Sequence, residues 1–478
     1  MGTLAGDADC VHVRDLPAPL FNARDHCRPH DQVELMVDGQ SIAVFGLGRS
    51  GLAVARAAIA RGATVTVYDE NPSEKLGKPE LASEVETLGA RLVLGVPLPL
   101  NAPEHTIVVN PAIDHRHPAL QAQKEKVIGE VEFAFRISKA PIVAITGTNG
   151  KSTTTAMTVV ALRAAGIDAI LCGNIFGSGL PEMPLTDAAD QSKPDQVLVA
   201  EISSFQLEWV RDFAPITAAI TTITPDHLDR YDSYADYAAT KERIFVNAKV
   251  KVDARIDGQL LPEIPGQCWD DTAGFRAIGS HNIRNAETAA ALAVAALEWM
   301  SSMNLDSDAI REYRKEREAA GVESVLPQRA FEALRVFPGL AHRMQFVESL
   351  RGVTFINNSM CTNPAAVVAS IESLGGKTSH VLVGGVNKDL PFAPLGEYLE
   401  GKSHRLYLFG RDAVQIMNEL SQNRQVYVTM KEAFDAASKE AKDGEFVMLA
   451  PGCASMDQFR DFRHRGDVFC QYVRDLTQ

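Results

Sequence analysis

The run Gly147-Thr148-Asn149-Gly150-Lys151-Ser152-Thr153 has the residue types and spacing to hold phosphate. It follows the apolar run Ile142 to Thr146 and precedes the helical run Thr154 to Ala165, which is the strand–loop–helix setting of a P-loop. Glycines let backbone N–H groups curl around phosphate oxygens, and the start of a helix adds a favourable dipole. Lys151 has the length to reach β and γ phosphates, and Ser152 or Thr153 offers Mg2+ a hydroxyl. The full GxxxxGK[ST] pattern is not met, because Ile145 stands where its first glycine belongs. A plain glycine-containing strand-to-helix turn is the alternative, and Gly-Lys-Ser-Thr at a helix start argues against it.

Further candidates follow in order along the chain. Glu201, in Glu201-Ile202-Ser203-Ser204-Phe205-Gln206, comes directly after the apolar run Val197 to Ala200. An acid at the C-terminal end of a parallel strand is placed to hold Mg2+ beside a P-loop, although the same acid also suits a helix cap. Thr224-Pro225-Asp226-His227-Leu228-Asp229-Arg230-Tyr231 concentrates acids, a histidine and an arginine in one short loop. His227 there completes a second cation site, or the loop is simply solvated. Lys241 lies in the helical stretch Tyr237 to Phe245, where a lone lysine would ordinarily face water. Near the N-terminus, Gly46-Leu47-Gly48-Arg49-Ser50-Gly51 fits GxGxxG, with Asp69 ending the next strand. That fingerprint by itself suits an NAD-dependent oxidoreductase as well as any other nucleotide-binding protein.

These loops need strands behind them. From residue 42 onward β-branched runs alternate with alanine-rich stretches, the pattern of an α/β protein with mostly parallel sheets covered by helices. Strands are expected at Ile42 to Phe45, Thr64 to Tyr68, Thr106 to Val109, Ile142 to Thr146, Val197 to Ala200 and Ala218 to Thr222. After the break at Phe337-Pro338-Gly339, further strands are expected at Thr354 to Asn357, Val381 to Gly384, Arg405 to Phe409 and Phe446 to Ala450. A chain of 478 residues is too long for one core. The division expected is an N-terminal extension, flexible, over 1–40, a Rossmann-like domain over 41–140, a central P-loop ATPase domain over 141–340 and a Rossmann-like C-terminal domain over 341–478.

Composition sets outer limits. The formal net charge of −14 and the lack of a dense Lys/Arg run argue against nucleic acid as a partner. Seven scattered cysteines without a CxxC spacing suit a reducing compartment. No stretch reads as a membrane span or signal sequence, so a cytoplasmic protein without membrane insertion is expected. His12, His26, Cys27 and His30 offer metal-ligating types, but in a segment that reads as an extension.

Taken together, GTNGKST, EISSFQLE, TPDHLDRY, YAATKERIF, HNIRNA, FPGLAHR and APGCASMDQF resemble the Mur ligase family, in order, over roughly residues 40 to 478. Within it the resemblance is to the branch that adds D-glutamate to UDP-N-acetylmuramoyl-L-alanine in peptidoglycan precursor synthesis. What this implies is an ATP-dependent ligase that passes through an acyl-phosphate, with UDP-binding, ATPase and closing domains. Gly48, Arg49, Ser50, Asp69 and Asn110 would contact the UDP-sugar, and Asn174 its acyl end. Gly147 to Thr153, Asn282, Asn285, Arg343 and Asn358 would serve ATP. Ser152, Glu201, His227 and Lys241 would serve two Mg2+ ions, with Lys241 as a carbamate. Lys151, Lys241, His227 and Arg343 would carry the chemistry, and Thr362, Lys388, Ser455 and Phe462 would hold the incoming glutamate.

The sequence departs from the family at Asn358, where an Asp is usual, at Met360, where a Lys is usual, and at Asn110-Pro111-Ala112, where Ser-Pro-Gly is usual. Residues 249–279 are shorter than the usual end of the central domain. These departures bear on which amino acid is added, L-glutamate or another being the alternative, and leave the phosphate and metal motifs intact. A nucleotide-binding protein without catalysis is the non-enzyme alternative.

Overall fold

The computed structural model describes residues 37–76, 80–175, 183–255, 275–277, 279–303, 307–322, 324–420 and 425–477. His12, His26, His30 and the cysteines at 10, 27 and 268 lie outside them. The described strands form three sheets, two in one compact unit and the third in another.

In the first unit, β1 (Ser41–Phe45), β2 (Thr64–Asp69), β3 (Arg91–Leu94), β4 (Thr106–Val109) and β5 (Val127–Gly129) pair in the order β3-β2-β1-β4-β5, all parallel. A second parallel sheet contains β6 (Ile142–Thr146), β7 (Asp168–Gly173), β8 (Gln196–Glu201), β9 (Thr217–Ile220) and β10 (Val250–Asp253), in the order β10-β9-β6-β8-β7. β6 is buried at every residue, as the continuous apolar run Ile142 to Ile145 requires of a strand covered on both faces.

One core joins these two sheets. The helix Glu130–Ile137 packs against the helix Leu185–Asp190, burying Val131, Ala134 and Ile137 with Leu185, Ala188 and Ala189. Charge pairs tie the second of these helices to the helix Arg49–Ile59 and the residues just past it, Arg56 to Asp187 at 2.8 Å and Arg61 to Asp190. Glu132 is fully buried and accepts the backbone N–H groups of Arg211, Asp212 and Phe213 at 2.8–3.0 Å. Three donors on one oxygen compensate the desolvation of that carboxylate and tie the first helix to the turn before β9.

The second unit carries β11 (Gln345–Leu350), β12 (Val353–Asn357), β13 (Ser379–Gly384), β14 (Arg405–Phe409), β15 (Val426–Tyr427) and β16 (Phe446–Leu449). Their order is β11-β12-β16-β13-β14-β15, and only β11 runs antiparallel. Alternate residues of β13 serve opposite cores, Val381 and Val383 one and Leu382 the other, which is the period of two that a strand covered by helices on both faces needs. Among the described residues no helix is long and apolar enough to cross a membrane.

Each strand expected from the sequence is present, with ends that move by one or two residues. Six further strands were not expected: β3, β5, β7, β10, β11 and β15.

Candidate active site

The glycine-rich loop leaves β6 at Gly147 and enters the helix Lys151–Ala164 through Gly150 in the left-handed conformation, φ 87°. Both glycines are obligatory. A Cβ on Gly147 would lie 2.0 Å from Thr221 Oγ1, and one on Gly150 would lie 2.6 Å from Asn285 Oδ1. The segment after β9 braces the loop: Thr148 N donates to Thr222 O at 2.7 Å, Asn149 N to Thr222 Oγ1 at 2.9 Å, and Thr221 Oγ1 to Asn149 O at 2.5 Å. Lys151 Nζ donates to the carbonyls of Gly147 and Thr148, both at 2.9 Å. Ser152 and Thr153 open the helix directly behind them.

β6 lies between β8 and β9, so their C-terminal ends face the same loop. Glu201 ends β8 and is 3 % exposed. Asn174 N donates to Glu201 O at 2.8 Å, and a Cβ on Gly173 would meet that oxygen at 2.2 Å, so the two strand ends meet backbone to backbone. Lys241 is the departure from an ordinary surface lysine. It is 2 % exposed, its Nζ donates to Gly147 O at 2.9 Å, and it lies 4.7 Å from the centre of the Tyr237 ring. Burial pushes its ammonium down to about 7, with Lys151 adding repulsion and Asp226 and Glu201 opposing both. His227 holds a left-handed backbone, φ 53°, unusual for a residue with a side chain, and its ring stands 4.8 Å from that of Phe205.

The donor set can be tested against Mg2+. A buried acid at a sheet edge, a hydroxyl at the start of the phosphate-loop helix and a nearby imidazole are hard or borderline donors of the few-ligand kind Mg2+ accepts. A lysine ammonium among them does not fit, and its conversion to an anion does. Asn285, 7 % exposed, accepts from Thr154 Oγ1 at 3.2 Å.

A second depression, about 330 Å3, opens at the C-terminal edge of the first sheet between β1 and β4, where the strand order reverses. Gly46, Gly48, Asp69, Asn110, Leu98 and Ile113 are among its lining. Asp69 Oδ2 accepts from Leu47 N at 2.7 Å, and its Oδ1 accepts from Asn71 N and Nδ2 at 2.9 and 3.0 Å, so this carboxylate shapes the glycine loop. Arg49 and Ser50 open the following helix, Arg49 exposed.

In the second unit Arg343 is exposed, and its guanidinium donates to Met360 Sδ at 3.3 Å. A lysine at 360 would put like charge there, so the methionine suits this arginine. Asn358 is 7 % exposed; its Oδ1 accepts from Met344 N at 3.1 Å and its Nδ2 donates to Ser370 Oγ at 2.7 Å. Ser370 gives its own proton to Ala366 O at 2.5 Å. An aspartate at 358 would need that proton, so Asn358→Asp is expected to destabilise the protein by about 1 kcal/mol, read as a lower urea midpoint. An unchanged or raised midpoint would contradict this account of the amide. Thr362 and Phe462 are partly buried, Ser455 is buried and Lys388 is exposed. Asn282 is 6 % exposed, and its N–H donates to Gly279 O at 2.9 Å.

Thus the structure brings the phosphate loop, Glu201, Lys241, His227 and Asn285 together on one sheet edge, and Asp69 and Asn110 on another. Sequence reasoning missed Thr221, Thr222, Phe205 and Tyr237 as loop and ring supports. For Thr221 and Thr222 the signal available was their position just past the end of β9, whereas Phe205 and Tyr237 lie in helices and carried none.

Comparison with known proteins follows the same division. A model of the Mur ligase MurD-like N-terminal domain matches residues 40–131, the Mur ligase middle domain residues 145–256, and the Mur ligase glutamate ligase domain residues 342–453. A UDP-N-acetylmuramoylalanine–D-glutamate ligase of Desulfatibacillum aliphaticivorans is 35% identical over 465 residues, covering 92% of this chain and 99% of that one. Proteins of the same name from Salmonella paratyphi A and Koribacter versatilis are 34% and 32% identical, covering 91% and 92% of this chain and 98% and 99% of theirs. With three domain models matched in order and relatives of this likeness aligned almost end to end, the chain belongs to the Mur ligase family.

Proposed function

We propose that this protein uses ATP to join D-glutamate to UDP-N-acetylmuramoyl-L-alanine, through an acyl-phosphate. The observation that carries the reading is the convergence of Lys151, Glu201 and the buried Lys241 on the loop that follows β6. The relatives bear ligase names, which leaves the oxidoreductase alternative without support. The proposed division is 41–140 for the UDP end of the acceptor, 141–340 for ATP and 341–478 for the amino acid. Both nucleotide substrates make the cytoplasm the proposed location.

In the first step a carboxylate oxygen of the acceptor bonds to the γ-phosphorus of ATP, the bond from that phosphorus to the β-bridging oxygen breaks, and ADP leaves. In the second the D-glutamate amine bonds to the acyl carbon, the carbon–oxygen bond to phosphate breaks, and a proton leaves the nitrogen. Little covalent work falls to the protein, so positioning and charge neutralisation are its tasks. Backbone N–H groups of Gly147 to Thr153 cradle the phosphates, and Lys151 turns its ammonium from the loop carbonyls onto the transferring phosphoryl group. Ser152, Glu201, His227 and a carbamate on Lys241 are the residues that would hold two Mg2+ ions, whose contribution is to neutralise charge on the phosphates. Gly48, Arg49, Ser50, Asp69, Asn110 and Asn174 serve the acceptor, Asn282, Asn285, Arg343 and Asn358 serve ATP, and Thr362, Lys388, Ser455 and Phe462 serve the glutamate.

Phosphate release from ATP, run with and without the acceptor and with D- and L-glutamate side by side, tests the reading. Release that requires the acceptor and D-glutamate is expected. Release with L-glutamate alone replaces the amino acid, and no release with either enantiomer refutes glutamate as the amino acid added.

A further inference from the structure

The depression beside the first sheet and the phosphate loop of the second belong to different sheets of one unit, yet one buried guanidinium touches structure from both. Arg230 is 7 % exposed. Its Nε donates to Glu208 Oε1 at 2.9 Å and its Nη2 to Glu208 Oε2 at 2.6 Å, a two-point fork onto a carboxylate that is itself 8 % exposed. The same Nη2 donates to the carbonyl of Ile113 at 2.8 Å, and Ile113 lines the first-sheet depression. The guanidinium carbon lies 4.0 Å from the centre of the Phe205 ring, on which the His227 ring stands edge-on at 4.8 Å.

The contacts continue to the phosphate loop. Tyr231 OH donates to Glu208 Oε1 at 3.0 Å, its ring lies 5.4 Å from that of Tyr237, and Tyr237 OH is 3.0 Å from Thr148 Oγ1. A buried ion pair is poor evidence for stability, because desolvation of both charges offsets their attraction. What a planar fork does supply is direction, since rotating it breaks two bonds at once. Any shift of the Ile113 carbonyl therefore tilts a plane that also carries Phe205 and, through it, the His227 loop.

We propose that Arg230, held by Glu208, is a positioning residue that links occupancy of the first-sheet depression to the placement of His227 and the phosphate loop. This rests on the reading above, in which the depression takes the UDP end of the acceptor. Two separable arms follow. The Ile113 contact sets the acceptor, and the Phe205 contact sets the phosphoryl-transfer centre.

Two variants of the full chain test it by steady-state kinetics with all three substrates varied. Arg230→Lys keeps the charge and loses both the fork and the plane, so the acceptor KM is expected to rise about tenfold and kcat to fall about tenfold, with the D-glutamate KM within about twofold. Phe205→Leu keeps the ion pair and removes only the ring, so kcat alone is expected to fall, by about tenfold, at an unchanged acceptor KM. Wild-type parameters in a folded Arg230→Lys protein, or an equal loss on all three substrates, would overturn the proposal. Should Arg230→Lys not fold, Phe205→Leu decides, and an unchanged kcat there overturns it. Wild-type protein assayed alongside separates the two readings. Its failure to turn over the acceptor removes the proposed function and this inference together, whereas normal wild-type turnover with unshifted variants removes this inference alone.

Discussion

Replacing Lys151 by alanine is expected to lower kcat by about a hundred- to a thousandfold, the range seen when a positioned donor to developing transition-state charge is deleted. The ammonium stands at the first residue of the helix that follows the loop, bonded to two loop carbonyls that lie within the same turn. Those two bonds are the structural part of its work, and losing them costs about 1.5–3 kcal/mol each at most, since the donor is charged. Stability and catalysis therefore separate: the thermal midpoint should move by a few degrees while turnover collapses. Single-turnover measurement of acyl-phosphate formation is the decisive readout, and a folded alanine variant with near-normal turnover would remove the phosphate-loop assignment.

Lys241 should respond to pH and to dissolved CO2 as no surface lysine does. An amine titrating near 7 is about half neutral at pH 7 and about a tenth neutral one unit lower, and only the neutral amine adds CO2. Protein stripped of CO2 at low pH and then given bicarbonate should regain activity faster as pH rises through 7. Lys241→Ala is expected to lose about a hundredfold or more in kcat, since the carbamate proposed to bind metal could no longer form, and to recover in part with acetate. Indifference to CO2 together with an active alanine variant would reduce Lys241 to a buried structural residue. The same shift fixes a sign for stability. Burial lowers the folded-state pKa below the unfolded one, so the protein carries the full penalty of a buried cation below pH 7, and the penalty fades as pH rises toward the ordinary lysine range. In CO2-free buffer, Lys241→Met should therefore stabilise the protein most at acid pH, and a larger gain at pH 10 than at pH 6 would contradict the burial argument.

The pattern of strands seen and unseen in the sequence has one physical cause. β1, β2, β4, β6, β8, β9, β12, β13, β14 and β16 all lie inside their sheets with neighbours on both sides, and each reads as a compact apolar run. The six unexpected strands are the six sheet edges. Edge strands are short or half-exposed, as Val426–Tyr427 and Arg91–Leu94 are, and their pairing comes from a neighbour that only the fold supplies. The antiparallel β11 follows the Phe337-Pro338-Gly339 break and carries Glu348 and Ser349 exposed, which hides any run from inspection.

The active site divides in the same way. The order of motifs along the chain determined by itself the α/β class and marked Gly147 to Thr153 and Glu201 as candidates, because those groups sit at or just past strand ends, where local residue type and neighbouring pattern agree. Tertiary structure alone decided that Lys241 is buried against Gly147, that Asp69 braces the glycine loop at Leu47, and that Asn358 spends its amide on Met344 and Ser370. Each of these depends on what lies across a sheet edge from a residue, and separations such as the 94 positions between Gly147 and Lys241 leave no trace in local spacing. Charge and hydrogen-bond capacity are written in the residue type, whereas burial, and with it the pKa of a lysine, is a property only of the packed neighbourhood.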